Sequence, residues 1–194
     1  MSTRKRPPRK APSVDSSEHP LVASVRLRAL RRVLWLRETW GPVPSGPAAV
    51  IHNEEVDRIL ADPSSHREAE ADFYGRNPEA SAIAAPLAEA ESQLAADRRW
   101  RQISNRFGLG QGDKGLLAAA LALVLDPHLA KVYAYVHDQP EMSYATPWLA
   151  AALYGSDGAA ARLEADASLL HWQLLRRLSD SVDAKKFECL WVKQ

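Results

Sequence analysis

Apolar positions along the chain fall into helix-length blocks separated by Pro, Gly and Asp. Between Leu21 and Trp40, Val22, Val25, Ala29, Val33, Leu36 and Trp40 recur at helical spacing. Leu27, Leu30 and Leu34 widen that stripe and Arg28, Arg31 and Arg32 lie opposite, so the pattern predicts an amphipathic helix with a basic outer face. The segment Gly41-Pro42-Val43-Pro44-Ser45-Gly46-Pro47 cannot continue it and is expected to be a semi-stiff linker. A short helix is expected from the Asn53 cap to Leu60, and residues 64 to 78 are expected to be loop or a loosely held helix. One long helix is expected from about Ala82 to Phe107, where Ile83, Leu87, Ala90, Leu94, Trp100, Ile103 and Phe107 form an interrupted stripe.

The densest pattern follows. Leu116 to Leu125 is apolar all round, which predicts a fully buried helix entered through a glycine-rich turn with Gly110 near its cap. Asp126-Pro127 ends it, and Leu129, Val132, Tyr133 and Val136 mark a second helix. Asp138-Gln139-Pro140 turns the chain. Thr146-Pro147 then supplies a cap hydroxyl and a first-turn proline for a third helix, Trp148 to Tyr154, with Gly155 as its stop. Two further helices are expected at Ala159–Ala165 and Leu169–Leu178. Phe187 to Val192 alternates like a strand and suits the first strand of a wing, with no partner strand expected after it.

Three short helices with this spacing are a helix-turn-helix core. The residues Phe107-Gly108-Leu109, Leu116 to Leu125, Asp126-Pro127, Val132 to Val136 and Asp138 resemble the winged-helix region that precedes the ATPase module in a group of bacterial AAA+ ATPases, some of them associated with contractile-injection-system gene clusters. The similarity extends over roughly residues 50 to 178. It implies a mainly α fold: a helical domain with a winged-helix-like helix-turn-helix core and one or two short C-terminal strands. It also implies a protein partner, an AAA+ ATPase or its assembly, and a chain that is the front part of a larger machine. Two features depart from the family pattern: residues 138 to 155 hold no Lys or Arg where relatives carry several arginines before the third helix, and the wing looks incomplete.

Composition narrows the function classes. The chain has 194 residues, 46% hydrophobic and 25% charged, as in globular proteins. No run of apolar residues is long enough to span a bilayer, and the basic start lacks the apolar stretch of a secretory signal, so no membrane partner is expected. A single cysteine, Cys189, fits a reducing cytoplasmic setting. The net charge of +1 conceals a dipole: residues 21 to 37 carry five arginines and no acid, whereas residues 53 to 97 carry eleven carboxylates against three arginines. Such a distribution either steers partners or lets the basic part fold over the acidic part.

No catalytic pattern emerges. Gly108 to Gly115 has the glycines and a lysine of a phosphate loop, but Asp113 precedes Lys114 and Gly115 stands where the hydroxyl residue belongs. The six histidines show no metal-ligand spacing, and no cofactor is expected. ATPase activity would need a module supplied by a longer or neighbouring chain. The expected organisation is a disordered basic tail over 1–19, the amphipathic helix and linker over 20–47, and a winged-helix-like domain over 48–194. The leading expectation is a non-catalytic targeting or regulatory domain that docks a protein through Met142, Tyr144, Trp148 and Tyr154. The alternative is a nucleic-acid-binding regulator that uses Arg4, Lys5, Arg6, Arg9, Lys10, Arg28, Arg31 and Arg32 as an electrostatic polyanion site.

Overall fold

A computed structural model describes residues 17–40, 65–155, 168–177 and 187–189. The expected tail, the linker, the Asn53-capped helix, the Ala159–Ala165 helix and residues 190–192 lie outside the described residues. Within them the chain is mainly helical. The helices are α1 (Pro20–Trp40), α2 (Ser65–Arg76), α3 (Pro78–Ser81), α4 (Ala84–Ala96), α5 (Arg98–Arg106), α6 (Gln111–Leu125), α7 (Leu129–His137), α8 (Pro147–Tyr154) and α9 (Ser168–His171), followed by strands β1 (Leu175–Arg177) and β2 (Phe187–Cys189).

Helix α1 is the central strut, about 31 Å long at 1.5 Å per residue. It packs against α2, α4, α6, α7 and α8 and is not a separate arm. Leu21, Val22, Val25, Ala29 and Val33 enter the main core with α6, α7, α8 and α9. Ala23 and Leu27 turn instead to Ile83, Leu87 and Ala90 at and on α4, and Trp35 packs on Phe73 of α2. With neighbours on so many sides, the predicted solvent face of α1 is not one. Arg28, Arg31 and Arg32 are all partly buried, and the basic segment folds over the acidic one.

Local signals place most boundaries. Asn77 caps α3 by accepting from the Ala80 N–H at 3.0 Å, with Pro78 at the first helical position. Gly110 is the residue before α6, as expected, and its N–H donates to the Asp113 carboxylate at 3.2 Å, which sits at the positive end of the helix dipole. Gly108, at φ +60, takes the left-handed conformation that reverses the chain between α5 and α6. Thr146 caps α8 through the Leu149 N–H at 2.9 Å, Pro147 follows, and Gly155 ends the helix at φ 79.

Three expectations are corrected. The long helix from Ala82 to Phe107 is two helices, because Asp97 adopts extended backbone (ψ 124) and its carboxylate accepts the Trp100 N–H at 2.7 Å, starting α5 afresh. The α6 helix is not fully buried: Val124 and Leu125, at its C-terminal end, are 39% and 52% exposed. The Leu169–Leu178 helix stops at His171, Gln173 takes a left-handed φ of 52, and the chain continues as β1. That strand pairs antiparallel with β2, Leu175 opposite Cys189 and Arg177 opposite Phe187. The expected wing strand therefore has a partner, and it comes before it in the chain.

Candidate interaction surfaces

The loop between α7 and α8 is organised by one histidine. His137, the last residue of α7, has Nδ1 2.8 Å from the Tyr133 carbonyl and Nε2 2.9 Å from the Thr146 hydroxyl. Both contacts are satisfied by the neutral ring with its proton on Nδ1, which donates to the carbonyl while Nε2 accepts from the hydroxyl. Thr146 Oγ1 in turn accepts the Leu149 N–H, so a single chain of hydrogen bonds ties the end of one helix to the start of the next. Burial lowers the His137 pKa from its ordinary value, against a smaller opposite effect of the Tyr133 and Met142 carbonyls. Asp138 completes the turn in the left-handed conformation at φ 55, ψ 30.

Around this clasp the structure gathers most of the expected docking residues. The Trp148 ring centroid lies 5.2 Å from that of His137, and the Tyr144 centroid lies 6.5 Å from it. Trp148 is 51% exposed, Tyr144 and Met142 are half-buried, and the loop leading to them carries exposed Asp138 and Glu141. Tyr154 does not belong to this group. Its ring packs against Gly115 of α6, where an added Cβ would sit 3.0 Å from Cδ2, and the Arg28 guanidinium lies 4.4 Å above it. Burial pushes its phenol pKa up to about 12, and the half-buried ring packs against the main core.

Of the arginines expected to meet a polyanion, the three on α1 are partly buried and have partners within the fold. Arg28 pairs with Glu91 of α4 and donates to the Leu153 carbonyl at 3.1 Å. Arg31 lies 4.1 Å over the Tyr74 ring, and Arg32 pairs with Glu70 of α2 at 2.6 Å. These contacts tie α1 to α2, α4 and α8. Arg4, Lys5, Arg6, Arg9 and Lys10 lie outside the described residues.

A different basic surface was missed. Arg98, Arg99, Arg101 and Arg106 on α5 are all exposed, and among the described residues none has an ion-pair partner. Helix α5 buries only Ser104 fully, while Trp100, Ile103 and Phe107 rest on the main core. Beside it Trp172, 52% exposed, lies 5.6 Å from the Phe107 ring. The two elements border an open groove of about 1230 Å³. Its signal was present in the sequence: Arg98, Arg99 and Arg101 occupy the first turn of a helix, where the dipole disfavours cations, and no carboxylate lies within α5.

Comparison of the chain with known protein families, curated proteins and solved structures gives no match. Function therefore rests on these surfaces. Among the described residues no cluster of His, Cys, Asp or Glu is arranged to hold a metal ion, and no helix is long and apolar enough to cross a membrane. The N-terminus of α6, where a phosphate loop would offer its N–H groups, is instead occupied by the chain's own Asp113 carboxylate.

Proposed function

We propose that the chain is a non-catalytic, cytoplasmic protein-interaction domain of winged-helix type, a targeting or regulatory piece resembling the N-terminal part of a bacterial AAA+ ATPase. It docks its partner through the surface of α8. The order of three helices, α6 to α8, followed by a two-stranded antiparallel ladder supports the winged-helix reading. The observation that carries the docking surface is Trp148, a large aromatic side chain left half in solvent on a helix whose start is rigidly tied down by His137 and Thr146. Exposed aromatics on a preorganised frame are the usual anchors of protein interfaces. With Asp138 and Glu141 nearby and no cation between residues 138 and 155, the surface suits a partner with an apolar pocket and a basic rim, such as the ATPase module or its assembly.

The test is capture of partners from extracts of the source cells by the full chain, quantified against Trp148→Ala and, as a control on α7, Lys131→Ala. Loss of a tryptophan anchor costs about 2 kcal/mol or more, roughly a 30-fold drop in affinity. A protein retained by wild type and Lys131→Ala and lost with Trp148→Ala, with unchanged circular dichroism, supports the reading. Equal capture by all three chains overturns it, as does nucleotide turnover by the isolated chain.

A further inference from the structure

We propose that α5 and Trp172 form a binding groove for single-stranded nucleic acid, independent of the α8 docking surface. The two ingredients such a ligand requires are brought together from distant parts of the sequence. Arg98, Arg99, Arg101 and Arg106 give four exposed guanidiniums along about 13 Å of helix, and Arg99 and Arg106, one heptad apart, fall within about 20° of each other around its axis. Trp172 supplies an exposed ring fixed from two sides, by Phe107 at 5.6 Å and edge-on by His171 at 4.8 Å, while Gln173 in the left-handed conformation turns the backbone away just after it.

The contrast with α1 gives these arginines their meaning. There, Arg28 and Arg32 find carboxylates on α4 and α2, and Arg31 a tyrosine ring. On α5 the four cations have no such partner among the described residues, and three of them crowd the helix end where positive charge is least favourable. A phosphate backbone is the complement of that row of charge, and Trp172 at its side offers a stacking face to an unpaired base. A duplex keeps its base faces stacked inside, and an acidic peptide has no base to stack, so neither uses both features. Binding by charge and stacking alone is tolerant of sequence.

The experiment is fluorescence-anisotropy titration of the full chain with labelled oligothymidylate and oligouridylate, which separate DNA from RNA as the source of the same chemistry. Duplex DNA and polyglutamate serve as competitors. With up to four phosphates neutralised, the log–log salt slope is about −2.8, an affinity loss of roughly 50-fold between about 50 and 200 mM salt. Arg99→Gln/Arg106→Gln is expected to halve the slope, and Trp172→Ala to weaken binding about 5- to 150-fold with little change in slope. Trp172→Phe, which keeps an aromatic face, should recover part of that loss and guards against misfolding of the alanine variant. Trp148→Ala and deletion of residues 1–12 should both leave groove binding in place. The proposal is overturned by absence of binding at low salt, by binding unchanged in the α5 and Trp172 variants, by its loss on removing residues 1–12, or by competition from duplex or polyglutamate as effective as that from the single strand.

Discussion

Removing Glu70 tests whether the arginines of α1 hold the molecule together. Its carboxylate accepts from Arg32 Nη1 at 2.6 Å and from the Tyr74 hydroxyl, and the same tyrosine ring carries the Arg31 guanidinium on its face. The Arg32 and Glu70 side chains are only 12% and 17% exposed, and Arg32 Nε is buried with no acceptor of its own. Glu70→Ala thus strands a guanidinium whose main compensation is gone. A fully buried broken pair costs about 3–5 kcal/mol, and the residual water access here lowers that to about 2–3. For a chain of this length each kcal/mol shifts Tm by about 2–4 °C, so the variant should melt about 4–12 °C lower. Urea denaturation followed by circular dichroism, on Glu70→Leu, Arg32→Met and the double variant, gives the coupling. The double variant should lose at least ~1.5 kcal/mol less than the sum of the single losses. Single losses under ~0.5 kcal/mol that simply add would mean that both charges are solvated, the behaviour of a surface pair, and would refute the internal role assigned to α1.

Two further outcomes follow from the packing around α8. The His137 pKa is lowered in the folded chain, so the unfolded chain protonates first as pH falls; above the unfolded value of about 6.5 the ring is neutral in both states and contributes no pH dependence, and below it stability declines until the folded ring also titrates. The urea midpoint should therefore drop as the pH falls below about 6.5, and His137→Gln should flatten that drop; an equally steep decline in the variant would discard the assignment. At Gly115 a Cβ would meet the Tyr154 ring at 3.0 Å, so Gly115→Ala trades a helix-propensity gain of about 1 kcal/mol against crowding and should stay near wild type. Gly115→Val, with two more methyls, should lose about 2 kcal/mol in the same urea assay, and a valine variant as stable as wild type would show that the α6–α8 contact yields freely.

The run from α6 to α8 was legible because its rules are local. Asp126-Pro127, the Thr146-Pro147 cap and Gly155 each act within a few residues, and the structure places helix ends there. Where a boundary depended on weighing two local signals, the weaker-looking one prevailed. The stripe from Leu94 to Trp100 jumps six residues, out of helical register, and that slip marked the Asp97 cap that divides α4 from α5. The β1 strand was hidden for a different reason. Leu169, Leu170, Leu174, Leu175 and Leu178 suit a helix equally well, and the ladder that decides the matter comes from residues 187–189, beyond the reach of a periodicity argument. The burial of Arg28 and Arg32 depended on carboxylates 63 and 38 positions away, which no window along the chain contains.

Those distant pairings change what the charge pattern means. Five arginines between residues 21 and 37 and five basic residues in the first twelve look like the natural place for a polyanion, since each stretch holds five cations and no acid. The number of cations is the wrong measure. A cation already matched to a carboxylate or a ring has its field consumed inside the fold, and adding a phosphate there would have to break the match before gaining anything. What matters to a ligand is charge left over once the chain has folded, and among the described residues that surplus is most concentrated on α5, where four exposed arginines fall in nine residues. The same reasoning applies to the aromatics: Tyr154 is consumed by Gly115 and Arg28, whereas Trp148 and Trp172 each keep about half their surface. One of these tryptophans sits in a cation-free segment beside Asp138 and Glu141, and the other beside a row of guanidiniums. Surfaces so different in charge suit different ligands, so the protein docking proposed at Trp148 and the strand binding proposed at α5 would not compete for one site.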